Sequence, residues 1–311
     1  MNKISIIGAG MTGATTAHWL AERELADLVL VDVVEGMPQG KALDMLEAMP
    51  VVNKDVEIVG SNDYAATKGS DIIIITAGLP RKPGMSRDDL LKVNAEIVGK
   101  AATETLKHSP DAIFVVLTNP LDTMAYLAMK MTKLPRNRVI GQAGILDSAR
   151  MRAFVAMETG VSVENINCYV LGGHGDEMVP LTRHSNIAGI PLKDYIPADK
   201  LEAILNRTRK GGGEIINLLK TGSAFYAPAA ACAQMAEAIL KNKNLIVPCA
   251  AYMDGEYDLK DMFFGVPVML GRNGMEKIVE YSLDEAEKAM FEKSAAAVKD
   301  THEALKKLVS F

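Results

Sequence analysis

Cysteine is scarce in this sequence, because only Cys168, Cys232 and Cys249 occur among 311 residues and no two of them have a CxxC spacing. Cysteines this few and this far apart exclude a disulfide framework and a zinc cluster built on cysteine pairs. We therefore expect a protein of a reducing cytoplasm, and we expect no metal site.

An excess of positive charge is also missing. The sequence contains 34 Lys and Arg residues and 39 Asp and Glu residues, which gives a net charge of −5 and a pI near 5.7. The chain thus has no broad cationic surface for nucleic acid or anionic lipid. Its N-terminus, MNKISIIGAG, has one lysine and a short apolar run broken by glycines, which is neither a signal peptide nor a membrane span. We expect no nucleic-acid and no membrane partner, and any anion must be bound locally.

Short apolar runs alternate with helical patterns up to about residue 141. The runs are ISII, LVLV, VEIV, DIIIIT, AIFVVL and RVIG. Several are nearly continuous rather than alternating, which is typical of parallel strands that are buried on both faces and covered by crossover helices. The pattern predicts a doubly wound α/β domain.

Beyond Gly144 the pattern changes to longer helical segments with shorter strand candidates between them. Helices are predicted at 147–160, 199–219 and 222–242, and strands near 168–172, 246–252 and 262–270. A last amphipathic helix is predicted to begin at a capping box formed by Ser282 and Glu285. We interpret this half as a second, α+β lobe, packed on the first without a flexible linker, and we expect the functional site in the cleft between the lobes.

A glycine-rich segment, GAGMTG, follows the first predicted strand and opens a helical stretch. Gly8, Gly10 and Gly13 would permit a tight turn and close approach of a pyrophosphate to a helix N-terminus. Asp32 ends the next strand, where a carboxylate can accept the ribose hydroxyls of adenosine and would repel a 2′-phosphate. The spacing predicts NAD rather than NADP, although the glycines could merely form a turn and Asp32 a solvated strand end.

One histidine of five lies in a sequence that suggests chemistry. His18 and His302 lie within helical patterns and His108 near a helix end, where surface or packing roles are expected, and His184 stays ambiguous. His174 lies in LGGHGDEM, between glycines that let a ligand approach the ring. A neutral imidazole suits proton exchange with an alcohol, but a loop histidine can also be bound only by backbone groups.

A carboxylate and a guanidinium are spaced for one helix face. Asp147 and Arg150 lie three residues apart in GILDSARMR, at a predicted helix start. They could form a plain ion pair, or Asp147 could orient an imidazole while Arg150 binds a substrate carboxylate. Asn119 follows a strand at the end where ligands bind in open α/β sheets, yet it could simply begin a turn before Pro120. The spacing alone leaves these alternatives open.

Taken together, these motifs resemble the lactate/malate dehydrogenase family over essentially the whole chain. The resemblance is carried, in the family's order, by GAGMTG with Asp32, TAGLPRKPGMSR at 76–87, VLTNPLD at 116–122, GILDSARMR at 144–152 and GGHGDEM at 172–178. It implies a Rossmann NAD-binding domain at 1–143, an α+β substrate domain at 144–311, and oxidation of a 2-hydroxy acid by hydride transfer to NAD.

The resemblance also implies residue roles. His174 would accept the proton of the substrate hydroxyl, Asp147 would orient it, and Arg150 would hold the carboxylate next to the reacting carbon. Asn119 would contact both the substrate and the nicotinamide. The cofactor-binding residues implied in this way are Gly8, Ala9, Gly10, Met11, Thr12, Gly13, Asp32, Asn94, Leu117, Thr118 and Asn119.

Two arginines in the segment LPRKPGMSRDD, 79–89, bear on the substrate. Pro80, Pro83 and Gly84 should prevent a regular helix there, and the resemblance implies a loop that closes over the substrate. Arg87 would polarise the reacting oxygen, and Arg81 would discriminate between substrates. A cation at 81 offers the distal carboxylate of malate a charge-assisted partner worth about 1.5–3 kcal/mol and would be left unpaired by pyruvate. We therefore expect malate and oxaloacetate as substrates.

Other functions and the assembly stay open at this point. Lactate dehydrogenase is the nearest alternative, followed by an NAD- and metal-dependent glycosidase of related fold and a catalytically silent NAD-binding regulator. The segment 36–50 puts Ala42, Met45, Leu46 and Met49 on one helical face, which could be core or could join two subunits. We expect a homodimer or homotetramer, with the tetramer in doubt because the chain begins directly at the first predicted strand.

Overall fold

A computed structural model describes residues 2–80 and 86–309 of the chain. Its first half contains the strands β1 (Lys3–Ile7), β2 (Asp27–Val31), β3 (Ile58–Ser61), β4 (Ile72–Ile75), β5 (Ile113–Val116) and β6 (Val139–Gly141). The helices between them are α1 (Met11–Glu22), α2 (Met37–Ala48), α3 (Arg87–His108) and α4 (Leu121–Thr132). All six strands predicted from the apolar runs are present.

The second half is mixed. Its helices are α5 (Gly144–Thr159), α6 (Leu192–Tyr195), α7 (Ala198–Leu219), α8 (Tyr226–Leu240) and α9 (Glu285–Leu308). Five two-residue strands lie between α5 and α6, namely β7 (Ile166–Asn167), β8 (Val170–Leu171), β9 (Val179–Pro180), β10 (Asn186–Ile187) and β11 (Ile190–Pro191). Three longer strands, β12 (Leu245–Asp254), β13 (Lys260–Gly271) and β14 (Gly274–Ile278), precede α9.

The strands of both halves form one continuous sheet, with the order β14-β13-β12-β6-β5-β4-β1-β2-β3 in the described part of the chain. The six strands of the first half are parallel to one another, whereas β12 is antiparallel to β6, β13 to β12 and β14 to β13. The sequence had placed β12 and β13 in a separate lobe and had not predicted β14. They join the first sheet through Ala250 beside Gly141, where a side chain on Gly141 would lie 2.8 Å from the Ala250 methyl group, so only small residues fit.

The sheet is covered on both faces, as its apolar runs predict. In β4, Ile72 and Ile74 belong to one hydrophobic core, and Ile73 and Ile75 belong to the other. Helices α1 and α8 supply residues to the first core, whereas α3 and α4 supply the second. A third, smaller core joins α5 and α7 to the short strands of the second half. The doubly wound α/β prediction is confirmed.

Helix starts differ from the prediction in several places. Helix α5 begins at Gly144 rather than 147, and α8 begins at Tyr226 rather than 222. The last helix is capped by Asp284 and Glu287, not by Ser282 and Glu285, with hydrogen bonds of 2.9 and 3.0 Å between their side chains and backbone N–H groups. Ser282 lies outside the helix, and its carbonyl oxygen contacts Nε2 of His184 at 3.0 Å.

A segment predicted to be irregular ends earlier than expected. Helix α3 already begins at Arg87, because Ser86 and Asp89 form a capping box at its start. Of the segment 79–89, residues 81–85 lie outside the described residues. Separately, no helix in the described ranges is long and apolar enough to cross a membrane.

Candidate active site

The three glycines of the phosphate loop between β1 and α1 differ in the space around their Cα atoms. Gly8 has a positive φ of 106°, and a side chain there would lie 2.6 Å from the Ala77 backbone nitrogen. A side chain on Gly13 would collide with the Gly8 carbonyl oxygen, whereas one on Gly10 would meet no protein atom within 4 Å. Gly8 and Gly13 are therefore required by packing. Gly10 leaves open space at the N-terminus of α1, which fits a phosphate group.

Asp32 lies beside this loop, directly after β2. Its Oδ2 accepts a hydrogen bond of 2.7 Å from the Ala9 backbone N–H, and its Oδ1 accepts one of 3.0 Å from Val34 N–H. On the other side of the same segment, Lys41 donates to the Ala9 carbonyl oxygen at 2.7 Å. The structure thus brings together Asp32 and the phosphate loop, which the sequence had assigned to one cofactor.

The loops after β4 and β5 are joined by Asn94. Its amide oxygen accepts from Leu79 N–H at 2.8 Å, and its amide nitrogen donates to the Asn119 carbonyl oxygen at 2.7 Å and to the Leu79 carbonyl oxygen at 3.1 Å. Thr118 adds a further link, because its hydroxyl donates to the Ala77 carbonyl oxygen at 2.7 Å. Asn94 is fully buried, and its described hydrogen bonds are all to backbone groups of the two loops.

One buried carboxylate joins the predicted catalytic residues. Asp147 Oδ2 lies 2.8 Å from Nδ1 of His174, and Oδ1 lies 3.2 Å from Nη1 of Arg150. The exposed fraction of the side chain is 2% for Asp147, 12% for Arg150 and 14% for His174. The ion pair within α5 therefore exists, and the same carboxylate also contacts the imidazole.

The other histidines have structural surroundings. His18 is exposed on α1, and His108 is the last residue of α3. His184 contacts the Ser282 carbonyl oxygen and stacks on Tyr281 with 4.9 Å between ring centroids. His302 is buried on α9, and this burial lowers the pKa of its imidazole to about 4. None of these four lies beside Asp147 and Arg150 in the described structure.

The remaining predicted site residues are the two arginines of the segment 79–89. Arg81 lies outside the described residues, and so does the side chain of Arg87. The backbone of Arg87 begins α3, whose buried Asn94 binds Asn119.

Two family models match almost the whole chain. The first, lactate/malate dehydrogenase, NAD binding domain, matches residues 2–141, and the second, lactate/malate dehydrogenase, alpha/beta C-terminal domain, matches residues 145–309. The chain belongs to the lactate/malate dehydrogenase family.

Similar proteins agree with this assignment. A relative named malate dehydrogenase from Roseiflexus sp. (strain RS-1) is 57% identical over 304 residues, which is 98% of each chain. The malate dehydrogenase of Cryptosporidium parvum has a similar structure, with a TM-score of 0.96 at 45% identity, over 98% of this chain and 99% of that one. The lactate dehydrogenase of the same organism, solved with lactic acid and NAD, has a TM-score of 0.95 at 40% identity over 98% of each chain. The fold alone does not separate the two substrates.

The predictions of family, fold class, dehydrogenase activity and NAD as cofactor are thereby confirmed for this dehydrogenase. As for metals, the described residues hold no group of three His, Cys, Asp or Glu side chains that could bind an ion.

The electrostatics of this site raise the pKa of His174. Burial acts against the charged imidazole, but the charge of Asp147 and its hydrogen bond outweigh burial, so the pKa of His174 is raised above its ordinary value of 6.5. Nδ1 is bound to Asp147, and Nε2 has no hydrogen-bond partner among the described residues. Nε2 is therefore the atom that can exchange a proton with a substrate.

Sequence reasoning missed a second buried carboxylate in the dehydrogenase site. Asp122, in the first turn of α4, accepts a 2.9 Å hydrogen bond from the backbone N–H of His174. Its Oδ1 is buried without a partner in the described structure, and burial raises the pKa of this carboxyl to about 6. A signal was available, since an acidic residue stands in NPLD at the start of a mostly apolar helical stretch.

Proposed function

We propose that His174, Asp147 and Arg150 form the catalytic centre of a malate dehydrogenase, which interconverts malate and oxaloacetate. The observation that carries the proposal is that one buried carboxylate contacts both the imidazole and the guanidinium. Malate dehydrogenase is the activity predicted from the sequence, and the full-length relatives of that name bear it out.

His174 moves the proton of the reaction. With its Nδ1–H donated to Asp147, the lone pair of Nε2 is free to accept the hydroxyl proton of malate. The imidazolium that forms is stabilised by the Asp147 carboxylate, and in the reverse direction it returns the proton to the carbonyl oxygen of oxaloacetate. When bound, NAD supplies the acceptor for the hydride that leaves the substrate carbon.

Arg150 binds the carboxylate next to the reacting carbon. Its Nη1 is bound to Asp147, which fixes the plane of the guanidinium and leaves other N–H groups for a substrate. Asn119 would contact the same substrate from the loop after β5. Arg81 would pair with the distal carboxylate, and Arg87 would polarise the reacting oxygen; these last two roles rest on the sequence resemblance.

The cofactor would lie along the carboxyl ends of the parallel strands. Residues 8–13 would hold the pyrophosphate at the N-terminus of α1, and Asp32 would accept the adenosine ribose hydroxyls. Asn94 and residues 117–119 would border the nicotinamide end. We also propose the division of the chain into a cofactor domain, 1–143, and a substrate domain, 144–311, which the separate matches at 2–141 and 145–309 support.

Substrate and cofactor preference can be measured by NADH absorbance with the purified protein. We expect a much higher kcat/KM for oxaloacetate than for pyruvate, and for NADH than for NADPH. A preference for pyruvate would leave a dehydrogenase but contradict the role of Arg81. Binding of NADH without turnover of either substrate would instead indicate the silent NAD-binding regulator.

The role of His174 is tested by His174→Asn, with His18→Asn as the matched control. Loss of a general acid–base group should lower kcat by about 10²–10⁴-fold. The control changes a histidine that is exposed on α1 and should leave kcat unchanged. Equal kcat values for the two variants would contradict the assignment of the proton acceptor.

Lactate dehydrogenase is the second candidate function, because a lactate dehydrogenase matches the fold almost as well as the malate enzymes do. The Arg81→Gln variant separates the two. Removing the cation should shift the ratio of kcat/KM for oxaloacetate over pyruvate toward pyruvate. An unchanged ratio would mean that another residue selects the substrate.

A homodimer or homotetramer is also proposed, with the face of α2 and the following turn as the contact. The predicted stripe divides: Ala42 and Met49 are buried in the core and Met45 packs against it, whereas Leu46 is exposed. Other large apolar side chains of α2 and the following turn are exposed as well, namely Leu43, Val51 and Val52. Such a concentration of exposed apolar side chains is typical of a protein contact.

The cytoplasm is the proposed location. Cys168, Cys232 and Cys249 are all buried and unpaired, as expected where thiols stay reduced.

A further inference from the structure

The middle of α7 contains three consecutive glycines, Gly211, Gly212 and Gly213. Glycine is among the least favourable residues in a helix interior, and alanine is the most favourable. None of the three has a positive φ, so the backbone would accept alanine at each position. Helix propensity and backbone conformation therefore do not explain these glycines. The neighbouring atoms explain one of them, Gly211.

The three glycines differ in what a side chain would meet. A methyl group on Gly211 would lie 3.1 Å from Cδ and 3.5 Å from Nε of Arg150. On Gly212 the nearest atom would be Nη2 of Arg150 at 3.8 Å, an ordinary contact, and on Gly213 nothing would lie within 4 Å. Gly211 is buried and Gly213 is exposed. Only Gly211 lies close enough for an added methyl group to displace Arg150.

Arg150 has little freedom to move away in its present position. Its Nη1 is held by Asp147 at 3.2 Å, and the other oxygen of that carboxylate is held by His174 at 2.8 Å. Independently, its Nε is buried without a hydrogen-bond partner in the described structure, on the side that faces Gly211. The guanidinium is thus fixed on one side by a carboxylate and bounded on the other by the bare backbone of α7.

We infer that Gly211 is a positioning residue for Arg150: the missing side chain leaves the room that the guanidinium needs to align with a substrate carboxylate. The inference rests on the proposed role of Arg150. A methyl group would move Cδ by a few tenths of an ångström, and the guanidinium at the end of the side chain would turn with it. Two-point binding of a carboxylate depends on that alignment.

The test compares Gly211→Ala with Gly213→Ala, which makes the same substitution in the same helix without touching Arg150. Gly213→Ala should raise the Tm of the apoprotein, because alanine favours the helix, whereas Gly211→Ala should raise it less because its methyl group must displace Arg150. Only Gly211→Ala should raise the KM for oxaloacetate, by about tenfold. The Kd for NADH should not change in either. A merely structural role predicts a change in stability with an unchanged KM. The KM for oxaloacetate therefore distinguishes the two roles.

A second measurement shows whether the effect passes through Arg150. In an Arg150→Lys background the planar guanidinium is gone, so adding Gly211→Ala should change kcat/KM by less than about twofold. An unchanged KM in the single variant, or an equal loss in both backgrounds, would overturn the inference. Absence of oxaloacetate turnover in the wild-type protein would refute the proposed function instead, which is a different result.

Discussion

Replacing Asp122 by asparagine should stabilise the protein at neutral pH. Burial raises the pKa of this carboxyl from 3.8 to about 6, so the folded state binds its proton more tightly than the unfolded state does. Stability from this group is present at low pH and is lost as the pH rises through about 6. A difference of about two pKa units corresponds to about 3 kcal/mol at pH 7, as an upper value. Asparagine has no charge to bury and keeps an oxygen that can accept from His174 N–H.

The assay is urea unfolding of wild type and Asp122→Asn between pH 4 and pH 8. The variant should gain stability relative to wild type above about pH 6, and the gain should shrink toward pH 4, where the wild-type carboxyl is protonated. Asp88→Asn is the matched control, since Asp88 is an exposed acid in the first turn of α3. Asp122→Leu removes the acceptor too and leaves a buried N–H unpaired, which costs about 1–3 kcal/mol.

A gain that does not depend on pH, or a loss at pH 8, would refute the reasoning, because it would mean that the folded state holds the Asp122 carboxylate without a burial penalty.

Three further predictions concern the cofactor, the catalytic pair and the assembly. Gly10→Ala should fold normally, because its methyl group meets no protein atom, but should weaken NADH binding by about 5- to 150-fold in a fluorescence titration. Asp147→Asn should move the pH midpoint of kcat/KM to lower pH, because the neutral side chain no longer favours imidazolium on His174. The rate of oxaloacetate reduction at pH 7 should fall by about 10- to 150-fold. An unchanged pH midpoint would contradict this prediction. Val51→Glu places a charge on a side chain that is 81% exposed and should lower the mass seen by light scattering, whereas a mass equal to that of wild type would exclude this face as the contact.

Local sequence determined much of this protein. Runs such as DIIIIT are typical of a parallel strand buried on both faces, where isoleucine needs no alternation with polar residues, and β4 is such a strand. The phosphate loop requires glycine at positions 8 and 13, because a side chain on Gly8 or Gly13 would collide with a backbone nitrogen or carbonyl oxygen. The helix pair of Asp147 and Arg150 follows from a spacing of three residues, and the family motifs indicated His174 as their partner.

Tertiary structure decided what depends on residues far apart in the chain. Asp122 binds the backbone of His174 across 52 positions, and no local pattern shows which buried group an acidic side chain will meet. Gly211 and Arg150 are close together because α7 packs on α5. The helix sequence alone gives no reason to distinguish Gly211 from the two glycines that follow it. Likewise, β12 continues the first sheet because Gly141 and Ala250 are small enough to pair. Periodicity and turn chemistry act over a few residues and can be read along the chain, whereas burial and steric room exist only after the elements have packed together.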